Sequence, residues 1–245
     1  MVGPERPQIV LFGSSIVQFC FSEQGWGSIL ANLYSRRADI VLRGYAGWTS
    51  RLALQALTHI FPKDAAVQPS LVVVYFGGND SVQENPSDVG ARVPLPEFID
   101  NMKKIGLHLK SLSERTRVIF LSPPSINEVQ INEHFGIVFS GRTNENCRIY
   151  SEACLNLCKE IDVKCVDLWT ALQRKDDWLT TCFIDGVHLS AVGSKIVAQE
   201  ILKVLKEADW EPCLYWKSLP IEYVEYDLPA SGGAKAADWN ISEDW

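Results

Sequence analysis

The chain has 245 residues, of which 47% are hydrophobic, and this composition excludes an intrinsically disordered protein and allows a sizeable core. Its net charge of −7 is spread along the sequence without a cluster of lysine and arginine, so neither nucleic acid nor an anionic membrane is expected as a partner. No stretch approaches the roughly 20 apolar residues of a membrane-spanning helix.

Five apolar runs rich in Val, Ile and Leu predict β-strands, at residues 7–12, 40–42, 71–76, 117–121 and 163–168. Runs without polar alternation are typical of strands that are buried on both faces. Helical spacing of apolar residues predicts helices near residues 26–34, 52–60, 98–112, 143–161 and 191–208. Because strands that alternate with helices form right-handed units, we expect an α/β fold: a three-layer α/β/α sandwich with a five-stranded parallel sheet, flavodoxin-like in outline.

The composition changes after residue 208, where tryptophan and tyrosine become frequent without a clear period. Such a segment cannot build its own core, but its aromatic side chains can pack on a folded domain. We therefore expect one domain over residues 1–208 and an aromatic-rich extension over residues 209–245 that packs on it, with partial disorder near residues 231–237. Self-association into a homo-oligomer is one role that the sequence allows for this extension.

The first residues, MVGPERPQIVLF, hold no signal-peptide pattern, and we expect a cytoplasmic protein. The seven cysteines are an odd number, which argues against a disulfide framework. Cys154 and Cys158 lie one helical turn apart, but no histidine or second cysteine pair stands beside them at a zinc-like spacing. Buried free thiols are therefore the prediction for these cysteines.

Chemically capable residues follow the first three predicted strands. Ser14 and Ser15 come directly after the first strand, Gly47 lies in the loop after the second, and Asn79 follows the third. Because ligands of parallel α/β sheets bind beyond the carboxyl ends of the strands, these residues can face one cleft. A serine there can attack a substrate, and backbone N–H groups and an asparagine amide can donate to a developing oxyanion. Each residue taken alone also fits an ordinary helix cap or turn.

Asp185 and His188 stand just before the last predicted helix. An aspartate three residues ahead of a histidine can accept the Nδ1 hydrogen, which leaves Nε2 to take a proton from serine. Together with the residues after the strands, this pair meets the requirements of acyl transfer. The sequence has no G-x-S-x-G and neither common phosphate-binding glycine motif. A flavodoxin-like nucleotide binder is the alternative, but it would need a phosphate loop at Gly13.

At these residues the sequence resembles the SGNH/GDSL hydrolase superfamily in the order and spacing of four motif blocks. The matching segments are residues 12–15, 44–47, 77–80 and 185–188. Within that superfamily the chain is similar to the isoamyl-acetate-hydrolysing esterases, especially those of plants. The narrower similarity lies in Arg43-Gly44, in Ser122-Pro123-Pro124 and in the tryptophan-rich extension.

The resemblance implies a catalytic triad in which Ser15 is the nucleophile, His188 the base and Asp185 its orienting partner. It also implies an oxyanion hole made by the N–H groups of Ser15 and Gly47 and the side-chain amide of Asn79, with no metal or organic cofactor. One departure is Ser14, which stands where the superfamily usually has aspartate. This substitution can alter the support of the loop or the choice of attacking serine, and we assign the attack to Ser15.

We therefore expect a serine esterase that hydrolyses short-chain esters, mainly of acetate, through an acyl-enzyme, with a small-molecule ester as its partner. The expected substrate-binding residues are Trp48, Phe76, Pro123, Pro124 and Ile126. Because the base must be neutral, activity is expected to rise as the pH passes the ordinary histidine range of about 6–7. The same triad could serve a lysophospholipase, a thioesterase or a sugar O-acetyl esterase. A catalytically silent binding module is a further alternative.

Overall fold

Five parallel strands form one sheet, and this confirms the predicted α/β fold. The computed structural model describes residues 5–83, 92–136 and 141–226. The strand order is β2-β1-β3-β4-β5, and every pair of neighbours is parallel. The strands are β1 (Gln8–Gly13), β2 (Asp39–Gly44), β3 (Leu71–Tyr75), β4 (Arg117–Leu121) and β5 (Lys164–Val166).

Helices connect the strands and include five that the apolar spacing predicts. In chain order they are α1 (Ser15–Gln18), α2 (Trp26–Leu33), α3 (Ser50–Ile60), α4 (Leu95–Lys110), α5 (Glu128–Phe135), α6 (Asn144–Glu160), α7 (Leu168–Gln173), α8 (Trp178–Thr181) and α9 (Ala191–Glu207). The fifth strand is shorter than predicted because the Asp167 side chain accepts a hydrogen bond from the Thr170 N–H and so begins α7.

Alternate side chains of the sheet enter two separate cores. Ile9 and Leu11 of β1 pack in a first core, which α2 and α9 cover. Val10 and Phe12 pack in a second core, which α3, α4 and α6 cover. The period of two along each strand thus gives the sheet a helical layer on both faces, as the sequence predicts for the sandwich.

The described part of the extension lies against the first core. Leu214, Trp216 and Leu219 are buried there, and the Tyr34 hydroxyl of the α2–β2 connection donates to the Leu214 carbonyl at 2.8 Å. Residues 227–245, with the disorder predicted near residues 231–237, lie outside the described part of the chain. A role of the extension in self-association stays a prediction. Among the described helices, none has the length and apolar character that crossing a bilayer requires.

Candidate active site

Three polar side chains from opposite ends of the chain meet beyond the carboxyl end of β1. Ser15 is the first residue of α1, and its Oγ lies 3.0 Å from the Nε2 atom of His188. The Nδ1 atom of His188 lies 2.5 Å from the Oδ2 atom of Asp185. In a neutral imidazole, Nδ1–H donates to the carboxylate and Nε2 accepts from the serine hydroxyl. The arrangement can therefore move a proton from serine to histidine.

A short loop before α9 holds the carboxylate behind the imidazole. Its ends pair through the N–H of Ile184, which donates to the carbonyl of His188 at 2.9 Å. The Oδ1 atom of Asp185 accepts from the N–H groups of Val187 and His188 at 2.9 and 2.7 Å. Burial raises the pKa of Asp185, but hydrogen bonds from the His188 side chain and from these N–H groups bring the pKa below its usual range. The carboxylate is therefore ionised at neutral pH.

Ser14, the residue that departs from the superfamily pattern, is buried at the N-cap of α1. Its carbonyl accepts from the N–H groups of Val17 and Gln18 at 3.0 and 2.9 Å, and its own N–H donates to the carbonyl of Tyr75 at 3.3 Å. Its backbone thus joins the start of α1 to the end of β3. Among the described contacts, Ser15 and not Ser14 lies within hydrogen-bond distance of the imidazole.

The three predicted oxyanion donors follow the carboxyl ends of β1, β2 and β3. Ser15 begins α1, so its N–H has no partner within the helix. Gly47 is exposed in the loop after β2, with a φ of 79° that favours glycine. The Nδ2 atom of Asn79 donates to the carbonyl of Trp48 at 2.8 Å. Because an amide carries two hydrogens on nitrogen, one remains for another acceptor.

Arg142, which the sequence analysis did not single out, fixes the orientation of the Asn79 amide. Its Nη2 atom donates to Asn79 Oδ1 at 2.8 Å, and its Nη1 atom donates to the Gly78 carbonyl at 2.7 Å. A guanidinium can only donate, so the amide oxygen must face it and the amide nitrogen must face away. The two residues are 63 positions apart, and no local pattern in the sequence links them.

The sequence analysis noted Asp80 only as the last residue of the motif block 77–80. In the structure its buried carboxylate accepts three hydrogen bonds. Its Oδ1 atom accepts from the N–H and the hydroxyl of Ser50 at 2.9 and 2.5 Å, and its Oδ2 atom accepts from the Gly77 N–H at 3.1 Å. Burial raises the pKa of Asp80 to about 6, against the lowering effect of the hydrogen bonds from Ser50. The carboxylate thereby joins the loop after β3 to the start of α3.

A cavity of about 440 Å³ opens beside Ser15 and His188. The apolar side chains that line it are Ile16, Phe19, Trp26, Phe135, Ile184 and Leu189. The edge of the Phe19 ring packs on the imidazole of His188, with ring centroids 5.3 Å apart. These residues come from α1, the turn after it, α2, α5 and the loop before α9, so no single stretch of sequence predicts the cavity.

The five residues predicted to bind substrate are not among the described residues that line this cavity. Phe76 is fully buried in the second core, where its ring centroid lies 5.1 Å from that of Phe12. Ile126 is also buried, in a small cluster with Ile131. Trp48 is half-buried and stacks on Tyr45 with ring centroids 4.1 Å apart. Pro123 and Pro124 are buried after β4, and a substrate contact for any of the five stays a prediction.

Comparison with known proteins agrees with this fold and shows the family of the chain. Residues 11–196 match the model of the GDSL-like Lipase/Acylhydrolase family. The chain belongs to this family and is a carboxylic ester hydrolase.

Two curated relatives cover almost the whole chain. A GDSL esterase/lipase of Arabidopsis thaliana is 64% identical over 94% of this chain and 74% of the relative. The mouse (Mus musculus) isoamyl acetate-hydrolyzing esterase 1 homolog is 32% identical over 92% of this chain and 93% of the relative.

Two solved structures share the fold. A lipase/acylhydrolase from Enterococcus faecalis superposes with a TM-score of 0.66 at 18% identity, over 88% of this chain and 98% of that chain. A catalytic mutant of Axe2, an acetylxylan esterase from Geobacillus stearothermophilus, gives a TM-score of 0.64 at 20% identity, over 80% of this chain and 93% of that chain.

Proposed function

We propose that the chain hydrolyses short-chain carboxylic esters of apolar alcohols, with Ser15 as nucleophile, His188 as general base and Asp185 as its orienting partner. The observation that carries the proposal is the continuous contact from hydroxyl to imidazole to carboxylate, at 3.0 and 2.5 Å. A serine hydroxyl is a weak nucleophile until a neighbouring base removes its proton.

In the first half-reaction, His188 Nε2 takes the proton of Ser15 as its Oγ bonds to the ester carbonyl carbon. The carbonyl electron pair moves onto oxygen, which accepts hydrogen bonds from the N–H groups of Ser15 and Gly47 and from the Asn79 amide. The carbon–oxygen bond to the alcohol then breaks, and His188 gives its proton to the leaving alcohol. Water repeats the sequence on the acyl-enzyme and releases the acid.

The position of the cavity supports an apolar alcohol part in the substrate. The leaving oxygen must reach His188 Nε2 to receive its proton, so the alcohol lies on the histidine side of the site. The cavity of about 440 Å³ opens on that side, and Phe19, Phe135 and Ile184 line it. A short acyl group is supported by the name of the mouse relative, an isoamyl acetate-hydrolyzing esterase homolog.

Hydrolysis of nitrophenyl acetate by the wild type and by Ser15→Ala, Ser14→Ala and His188→Ala tests the triad. We expect Ser15→Ala and His188→Ala to lower kcat by at least about a thousandfold, while Ser14→Ala stays active. A fluorophosphonate probe should label Ser15 in the wild type and in Ser14→Ala, and should label neither Ser15→Ala nor His188→Ala. If Ser14→Ala abolished turnover and Ser15→Ala did not, the assignment of the nucleophile would be wrong. Absence of both turnover and labelling would favour a silent binding module.

Two series of esters test the substrate. One holds the alcohol constant and lengthens the acyl chain, and the other holds acetate constant and changes the alcohol from branched alkyl to sugar. We expect kcat/KM to fall along the first series and to be higher for alkyl than for sugar acetates in the second. Preference for acetylated sugars, or for lysophospholipids or thioesters assayed beside these two series, would replace the proposed substrate and leave the triad intact.

A further inference from the structure

Three cysteines that the proposed hydrolysis does not use come together between α6 and the edge of the sheet. Cys154 and Cys158 lie in α6, and Cys165 lies in β5. Their sulfur atoms all lie within 4.8 Å of one another. Residues four apart in a helix share a face, so α6 presents its two thiols side by side. Cys165 lies beside them because the chain turns after the end of α6 at Glu160 and begins β5 at Lys164.

The spacing of the sulfur atoms suits a single metal ion. A metal bonded to thiolates at about 2.3 Å holds those sulfur atoms about 4 Å apart. Movements of less than about 1 Å would bring the three sulfurs of this group to that separation. Cys154 and Cys158 are buried in the second core and Cys165 packs against it, so the three side chains share one environment.

The group of three cysteines is buried in the core on one side and partly exposed to solvent on the other. Cys154 and Cys158 are 0% and 2% exposed in the second core, where apolar side chains exclude competing polar ligands. Cys165 is partly exposed in β5, which is the edge strand of the sheet. An ion can therefore enter at Cys165 and be held by two sulfurs that are already in place.

We propose that Cys154, Cys158 and Cys165 form a binding site for the soft cation Cu(I), held by three thiolates. Thiolates are the ligands that select Cu(I), and three of them suffice for this ion. Zn²⁺ usually takes four protein ligands in a structural site, and no other histidine, cysteine or carboxylate of the described residues places a ligand atom in this group. Each bond from copper to sulfur replaces a bond from hydrogen to sulfur, the proton leaves to solvent, and no oxidation state changes.

Such an ion would join α6 to β5, a strand of only three residues. Because an ion that binds the folded chain alone stabilises it, Cu(I) should raise the temperature of thermal unfolding. This effect does not depend on the triad, so esterase activity and copper binding can be tested independently.

The experiment is an anaerobic titration of the reduced full chain with Cu(I), in competition with the chelator bathocuproine disulfonate. Two matched pairs of variants isolate the site. Cys165→Ala is compared with Cys213→Ala, since both thiols are partly exposed, and Cys154→Ala is compared with Cys182→Ala, since both are 0% exposed. Circular dichroism of the metal-free variants checks that each of them folds.

We expect the wild type, Cys213→Ala and Cys182→Ala to bind one Cu(I) per chain, with only sulfur neighbours in X-ray absorption and a higher unfolding temperature. Cys165→Ala and Cys154→Ala should lose about tenfold or more in affinity. Equal affinity in Cys165→Ala and the wild type would overturn the site, whether or not Cys154→Ala folds. Binding of Zn²⁺ with exclusion of Cu(I) would overturn the choice of metal.

Discussion

Arg142 acts on the proposed oxyanion hole through Asn79 and does not itself touch the serine or the histidine in the described contacts. Its removal frees the amide to rotate, so that the oxygen can face a developing negative charge. We expect Arg142→Ala to lower kcat for acetate esters by about tenfold or more with little change in KM, since the loss falls on the transition state. Steady-state kinetics measure both constants.

The matched control for that prediction is Arg148→Ala on the exposed surface of α6. Arg148 pairs with Glu145 and Glu152, and exposed ion pairs contribute little to stability. Arg148→Ala should therefore retain the kinetics of the wild type. An Arg142→Ala enzyme with an unchanged kcat would show that the Asn79 amide keeps its orientation without the guanidinium.

Asp80 gives the folded chain a pH dependence of opposite sign to that of most carboxylates. Its pKa rises to about 6 in the folded state from an ordinary value of 3.8. Between these values the folded state holds the proton more tightly than the unfolded state, so stability falls as the pH rises. Two units of pKa correspond to about 3 kcal/mol.

Urea denaturation of the wild type and of Asp80→Asn from pH 4 to pH 7 measures this contribution. We expect the free energy of unfolding of the wild type, taken relative to Asp80→Asn, to fall by about 2 kcal/mol between pH 4 and pH 7, with most of the fall below pH 6. The comparison cancels Asp185, whose lowered pKa acts at more acidic pH. A flat difference would mean that Asp80 titrates as it does in an open chain.

At the scale of elements, the loop before α9 depends on one glycine between Asp185 and His188. Gly186 has a φ of 89°, and a Cβ atom there would lie 2.5 Å from the carbonyl oxygen of Asn127. Gly186→Ala therefore combines backbone strain with a backbone clash, and we expect it to cost about 1–3 kcal/mol or more in stability. It should also lower kcat, because the displaced loop carries Asp185 and His188 away from Ser15.

Gly136→Ala is the control for that substitution. Gly136 also has a positive φ, of 62°, but a Cβ atom there would meet nothing within 4 Å. It should show the strain without the clash, and kcat should stay near that of the wild type. Equal loss of kcat in both variants would place the effect outside the loop before α9.

The main elements could be predicted from sequence because their signals are local. The run from Leu71 to Tyr75 is apolar throughout, which is typical of a central parallel strand, and it forms β3 as expected. The short helices α5 and α8 were not predicted, since eight and four residues give too little periodicity. Likewise the proximity of Cys165 to Cys158 could not be predicted, because a turn and a change from helix to strand separate the two residues.

In the candidate site, too, one part could be predicted from the sequence and another could not. The contact of Ser15 with His188 was predicted from motif order and from the rule that parallel sheets bind ligands at their carboxyl ends. The cavity could not be predicted, since Phe19, Phe135 and Ile184 come from three segments and no local sequence pattern indicates that these segments pack together. Those side chains, and not the predicted Phe76, are the ones that meet solvent beside the serine.

For the whole molecule, the described part of the extension contributes Leu214, Trp216 and Leu219 to the hydrophobic core. Trp216 is 6% exposed and packs in the first core. Trp216→Ala should lower the free energy of unfolding by about 3–5 kcal/mol, as expected for a buried tryptophan, and leave kcat unchanged below the unfolding transition. Tyr226→Ala, at a side chain that is 77% exposed, should change stability by less than about 0.5 kcal/mol. Equal stability of the two variants would contradict a structural role for the extension.

The contact between the Ser15 hydroxyl and the His188 imidazole spans 173 positions of the chain. During synthesis Ser15 leaves the ribosome early, and His188, its proposed base, follows only after most of the chain has been made. On the proposed mechanism a nascent polypeptide therefore carries an unactivated alcohol, and a fragment that ends before His188 should not hydrolyse esters.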